Sequence, residues 1–403
     1  MKVVDLETFV VGNPPPAFGG KYFTFVKLTT DDGVVGYGEA YAGTFHPDVV
    51  AAMLVDVGER HLIGENPFRI EQFWRSAYGR GFTHRPDPSL AGVMSALEMA
   101  CWDIVGKALE QPVYNLLGGQ VHERLRTYTY LYPEPDDATD VYLDPDLAAS
   151  RASEEVARGF TAVKFDPTGP YTVMGGHQPS QERIELSVRF LAAIREAVGT
   201  NADLLFGTHG QFTPSGAIRL ARQLEQFDPL WFEEPTPPDD VKGMAKVARQ
   251  TSIPIATGER LVTKVEFARV LEAGAASILQ PDLGRAGGIL EWKKIASMAE
   301  AHNAQIAPHL YCGPIVGAAN AQLATCSPNF LILEGIRDWG GFHADLLKTP
   351  MTWEKGYLIP PTSPGLGVEL DEEVARANPY TGDDLHLSMA ERPIDEADQT
   401  QGL

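Results

Sequence analysis

Six titratable side chains recur along the second half of the chain: His209, Glu233, Glu259, Asp282, His309 and Glu334, at successive separations of 23 to 27 residues. Each follows a short apolar run, so all six fall at the same end of a repeated strand, the end where an α/β barrel builds its active site. Glu233 (Trp231-Phe232-Glu233-Glu234-Pro235) and Glu259 (Thr257-Gly258-Glu259-Arg260) end neighbouring strands. Two carboxylates converging at a barrel mouth repel unless a cation lies between them. Hard oxygen ligands completed by water suit Mg²⁺, so a divalent metal is expected. On spacing alone two other readings stay open: the acid and nucleophile of a glycosidase, or a surface pair with Arg260 and Lys264 as salt-bridge partners.

Asp282 and His309 end the sixth and seventh strands. An Asp that accepts a hydrogen bond from one imidazole nitrogen fixes the tautomer and leaves the other nitrogen to take a proton, which makes a general base. Across the barrel, Lys164 and Asp166 end the second strand and His209 ends the third. Lys164 and the metal would hold the charge of an enediolate, while a protonated His209 would help a β-hydroxyl leave. Glu334 is a group that orients substrate or supports the side chains that touch it.

The elements that must position these groups are legible. Apolar runs at 127–132, 162–165, 204–206, 230–232, 253–256, 277–279, 305–307 and 330–333 alternate with helical periods, for example after Thr213-Pro214, an N-cap followed by a first-turn proline. Alternation with right-handed crossovers gives a parallel sheet, and eight units predict closure into a barrel. Before them, apolar runs at 3–11, 22–28 and 34–41, with the turn Asp32-Gly33 before the last of them, read as an antiparallel meander. Helices follow at 48–59, 67–78 and 90–109, the last mostly apolar with Ser89 as its N-cap. The predicted fold is α/β: a modified (β/α)8 TIM barrel over 126–355, an N-terminal α+β capping domain over 1–125, and a segment over 356–403 that returns to the capping domain. The tail from about Asp395 is expected to fray. The capping-domain loops should close over the barrel mouth, with Phe18, Tyr41 and Phe45 excluding water. The long loop 167–179 adds Tyr171 and His177 as weaker candidates.

Composition narrows the partners. The 403 residues carry a formal net charge of −21 without any cluster of Lys and Arg, which disfavours nucleic acid and anionic membrane. The N-terminus alternates like a strand and places Asp5 and Glu7 where a signal peptide needs apolar residues, so a cytoplasmic location is expected. Cys101, Cys312 and Cys326 lie in apolar surroundings without C-x-x-C spacing, as buried thiols do.

Several motifs together resemble one family. Glu233-Glu234-Pro235, Thr257-Gly258-Glu259-Arg260, Gln280-Pro281-Asp282 with Gly287-Gly288, Ala307-Pro308-His309 and Pro364-Gly365-Leu366-Gly367-Val368 are similar to the mandelate racemase subgroup of the enolase superfamily. Gly33-Val34-Val35-Gly36-Tyr37-Gly38-Glu39 and Ala100-Cys101-Trp102-Asp103-Ile104-Val105-Gly106-Lys107 extend the likeness to the capping domain. Within the subgroup the chain most resembles the galactonate and mannonate (acid-sugar) dehydratases. The resemblance implies a lyase that uses one Mg²⁺ per subunit to dehydrate an aldonate or aldarate to a 2-keto-3-deoxy acid, in a homo-oligomer, an octamer among the options. A racemase, epimerase or cycloisomerase using the same proton abstraction is the alternative reading. The sequence departs from the family at Gly207, where the family places an Asp metal ligand two positions before the residue matching His209. Asp166 is the favoured replacement, with His209 or water as other possibilities, and a metal-deficient, non-catalytic homologue is a third reading.

Overall fold

The computed structural model describes residues 1–169 and 171–393; Pro170 and the tail from Ile394, which includes the stretch from Asp395 expected to fray, lie outside them. The first three strands, β1 (Val3–Gly12), β2 (Tyr22–Thr30) and β3 (Val35–Ala40), form the expected antiparallel meander. Gly33 closes its turn at φ 84°, a conformation that glycine adopts without steric cost. One face of the meander packs on the helix Pro88–Ala108. At Gly38 a Cβ would fall 1.8 Å from the carbonyl oxygen of Ala96, so glycine is what lets strand and helix approach this closely. That helix is long and apolar enough to cross a membrane, but nine-tenths of its apolar stretch is buried inside the protein. It starts one turn signal earlier than expected: Asp87, not Ser89, is the N-cap, and its carboxylate accepts from the backbone N–H of Ser89 and Leu90. Pro88 at the first helical position fixes that start.

Eight parallel strands follow: β4 (Leu125–Tyr130), β5 (Ala162–Phe165), β6 (Asp203–Phe206), β7 (Trp231–Glu233), β8 (Ile255–Thr257), β9 (Ile278–Leu279), β10 (Gln305–Ile306) and β11 (Leu333–Gly335). They pair in sequence order from β4 to β10, and β11 returns to pair with β4, the order of a (β/α)8 barrel. The last seam, between β10 and the chain entering β11, is a single parallel bridge, Ile306 to Phe330.

Side chains alternate along each strand, and this alternation builds the site. Tyr128, Ala162, Leu205, Trp231, Ala256, Ile278, Ala307 and Ile332 form one buried cluster, one residue from or beside each strand. The next inward position is two residues on, giving Tyr130, Lys164, Gly207, Glu233, Gly258, Gln280, His309 and Glu334. An apolar plug thus lies directly beneath a polar layer. The neighbouring residues Val163, Phe165, Leu204, Phe206 and Phe232 point outward into the core shared with the helices.

Buried carboxylates of the capping domain fasten it to the barrel. Glu39 accepts the backbone N–H of Gly313 and Val316 at the start of the helix Pro314–Thr325. Asp103 accepts from Leu366 and Tyr37 and pairs with Lys107, which accounts for the Pro-Gly segment near the C-terminus. Further on, Arg376 pairs with Glu7, and Tyr380 donates its N–H to Val10. Glu98 caps the helix Ile289–Ala301 from outside the barrel, accepting the N–H of Ile289 at 2.6 Å and of Leu290 at 2.9 Å. Truncating it to Ala orphans both donors in a buried place, so Glu98→Ala should cost about 2–4 kcal/mol. Urea denaturation checks this, and an unchanged midpoint would contradict the assigned cap.

Candidate active site

A cavity of about 370 Å³ opens at the C-terminal end of the parallel strands. Lys164, His209, Glu259, His309 and Glu334 line its floor, and Phe18, Tyr41, Tyr130, Tyr132, Tyr142, Tyr311 and His386 surround them. Five of the predicted polar residues are therefore brought to the cavity from five strands, while Glu233, Asp282 and Asp166 do not line it and instead contact Lys164, His309 and His209. Phe18 and Tyr41 reach the cavity as expected, whereas Phe45 is 44% exposed and does not line it. Tyr171 is buried with its ring 4.6 Å from that of His209, while His177 packs edge-on to Phe212 away from the floor.

Two histidine–carboxylate dyads face this space. His309 Nδ1 lies 2.6 Å from Asp282 Oδ2, which leaves Nε2 free toward the cavity, 3.3 Å from Glu259 and 3.9 Å from Glu334. Burial opposes a charge on this ring, but Glu259, Glu334 and Asp282 outweigh it and raise the imidazole pKa to about 9. Asp282 itself accepts the N–H of Gly284, so its carboxylate is fixed in the turn after β9. In the second dyad His209 Nδ1 lies 2.9 Å from Asp166 Oδ2. Burial again disfavours the cation, and Glu259 and Asp166 overcome it, so the pKa of His209 is raised. The backbone at His209 has φ 46° and at Glu234 φ 40°, left-handed conformations that cost a non-glycine residue on the order of 1–3 kcal/mol each. The N–H of Gly210 bonding to Glu234 O and the hydroxyl of Thr208 donating to the carbonyls of Glu233 and Glu234 hold this corner in place.

The third feature is Lys164. Its Nζ lies 2.6 Å from Glu233 Oε1 and 3.5 Å from Glu334 Oε1, and the side chain is 1% exposed. Burial would release the proton, but Glu233 and Glu334 hold the pKa well above that of a free lysine. Gln280 donates to the other Glu233 oxygen at 2.7 Å, and Glu334 Oε2 accepts the N–H of Leu310. Arg260 pairs chiefly with Glu234 and lies 3.9 Å from Glu259, while Lys264 pairs with Glu291, so only half of the surface-pair reading is met, and Glu233 and Glu259 are both buried.

The expected Mg²⁺ ligand set meets a different arrangement. Both oxygens of Glu233 already accept from N–H donors, Asp166 is committed to His209 and to Thr168, and the third position is Gly207. Of these carboxylates Glu259 alone accepts no hydrogen bond, with Oε2 buried 3.3 Å from His309 Nε2 and Oε1 3.9 Å from Arg260. One carboxylate alone does not supply the several oxygens a divalent ion takes, and among the described residues no group of three or more His, Cys, Asp or Glu is placed to hold a metal. This donor set does not fit the metal. All three cysteines are buried and free, and burial raises the thiol pKa of each.

Several lining residues escaped the sequence reading. Tyr130 stands two residues beyond Tyr128 of the plug, so counting by two along the strand would have found it. His386 gave no local signal, because only the return of the C-terminal segment brings its ring beside Tyr41 and within 2.8 Å of the Tyr311 carbonyl.

Comparison with known proteins agrees with this architecture. Residues 17–118 match the mandelate racemase / muconate lactonizing enzyme N-terminal domain, and residues 147–374 match the family described as enolase C-terminal domain-like. A protein of Ralstonia nicotianae named D-galactonate dehydratase is 38% identical over 92% of this chain and 93% of its own length. Another so named, from Cronobacter sakazakii, is 36% identical over 94% of each. Among solved structures, a mandelate racemase/muconate lactonizing enzyme from a Sulfitobacter species is 56% identical, with a TM-score of 0.96 over 98% of this chain and 100% of that one. A mandelate racemase/muconate lactonizing enzyme-like protein from a Roseovarius species is 55% identical, with the same TM-score and coverage. Matched in both domains and along nearly its whole length, the chain belongs to the enolase superfamily, in the mandelate racemase/muconate lactonizing enzyme family.

Proposed function

We propose that the protein is an acid-sugar dehydratase, a lyase that converts an aldonate or aldarate to a 2-keto-3-deoxy acid. The carrying observation is the pair of histidine–carboxylate dyads lining one cavity that also exposes a buried ammonium. Relatives named D-galactonate dehydratase support the substrate class. In this reading His309 Nε2 takes the proton α to the carboxylate, and the electron pair of the broken C–H bond becomes the double bond of an enediolate. Asp282 keeps Nε2 in the accepting tautomer. When the enediolate collapses, the β-hydroxyl leaves with a proton from His209 as water, and the resulting enol takes a proton at C3 and releases its C2 hydroxyl proton to become the keto acid. Tyr41 and the tyrosines of the wall exclude bulk water while charge develops.

Mg²⁺, general in the superfamily, enters no step here, because Glu233, Glu259 and Asp166 do not present a site for it. Domain limits at 125 and 355, a homo-oligomeric assembly and a cytoplasmic location accompany the proposal. A screen of aldonic and aldaric acids, read by semicarbazide trapping of a 2-keto product, tests it. Solvent deuterium entering recovered substrate without water loss would instead favour the isomerase.

The raised pKa of His309 sets the pH dependence. A base works only when unprotonated, so kcat/KM, which reports the free enzyme, should rise with pH through a limb near 9. Glu259 is the first of the charges holding that pKa up, so Glu259→Gln should move the limb to lower pH. A limb that stays in place would remove Glu259 from contact with the base.

A further inference from the structure

We propose that the Lys164 ammonium is the resident cation of this active site, standing in the place where the family holds a divalent metal, so that the chain meets its substrate's carboxylate with a protein charge. The inference rests on the dehydratase reading and adds to it how charge is stabilised. Three observations carry it. Lys164 lies between Glu233 at 2.6 Å and Glu334 at 3.5 Å, carboxylates from strands on opposite sides of it, and the ring faces of Tyr130 and Tyr128 lie 4.8 Å and 5.9 Å from Nζ. It is therefore held at one point as a metal would be, by anions and π-faces together.

The loss of the Asp ligand and the place of the lysine are also linked in space. A Cβ at Gly207 would sit 3.3 Å from Tyr130 Oη, 3.5 Å from Asp166 Oδ2 and 3.6 Å from Lys164 Cε. A carboxylate there would compete with the lysine stem for the same room and add charge beside Asp166. With glycine no side chain contests that room. Finally, an ammonium has three donors. Two point at Glu233 and Glu334, and the third is left for an oxygen of the substrate carboxylate in the cavity that Lys164 lines. Glu259 Oε2, buried and without a hydrogen-bond partner, is then an acceptor for a substrate hydroxyl rather than a ligand.

The test uses the intact protein, stripped with EDTA and titrated with Mn²⁺ alone by calorimetry and electron paramagnetic resonance. The wild type should show no stoichiometric binding. Gly207→Asp combined with Lys164→Met, which restores the carboxylate and removes the ammonium, should bind one Mn²⁺ per chain. Turnover of any acid found in the screen should be unchanged by EDTA. Tight one-to-one Mn²⁺ binding by the wild type, or turnover lost to EDTA and restored by Mg²⁺, would overturn the proposal. The wild-type titration decides even if the double variant fails to fold. It needs no substrate, so a failed acid screen would remove the dehydratase reading while leaving the metal result to stand or fall separately.

Discussion

His309→Asn should lower kcat by at least about 10²–10⁴-fold, the usual contribution of a positioned general base. The imidazole is the group whose free nitrogen enters the cavity while the other is fixed by Asp282 at 2.6 Å. Asparagine removes the proton acceptor. The helix beyond it stays anchored, since the bond there is Asn320 donating to the backbone carbonyl of His309. Loss of α-proton exchange together with turnover, at an unchanged melting temperature, is the expected pattern. Product formed at the wild-type rate would take His309 out of the reaction.

Lys164→Met should have the largest effect on stability. Methionine has nearly the length of lysine and no charge, so the variant tests the cation and not the volume. Glu233 and Glu334, 2% and 3% exposed, would face each other without it. Breaking a buried ion pair by deleting one partner typically costs about 3–5 kcal/mol, because the remaining charge stays desolvated. Adding Glu233→Gln to the same chain removes one of the two stranded anions and should recover part of the loss. Guanidinium denaturation of the single and double variants measures this. A single variant as stable as the wild type would show that Lys164 does not balance these carboxylates.

Much of this arrangement was legible in the sequence because a barrel strand imposes a strict alternation. Once Trp231, Ile278 and Ile332 are seen to plug the barrel, Glu233, Gln280 and Glu334 must stand above them. The regular spacing of the six strand-end residues reported the same geometry. The departure at Gly207 was equally visible, but not its consequence. Sequence reasoning filled the lost ligand with Asp166, the nearest carboxylate, whereas the structure turns Asp166 to His209 and Thr168. Which of two adjacent side chains occupies a gap depends on stem length and on competing partners, and spacing carries neither. His386 was beyond reach for another reason: its contacts with Tyr41 and Tyr311 join residues far apart in the chain and exist only after the C-terminal segment has docked.

Incubating His209→Asn in D2O with an acid that the wild type dehydrates separates the two dyads. With the acid removed and the base intact, recovered substrate should carry deuterium at the carbon next to its carboxylate while no keto product accumulates. Full-rate dehydration by this variant, or substrate that keeps its α-proton throughout, would contradict the assignment of base and acid to opposite sides of the cavity.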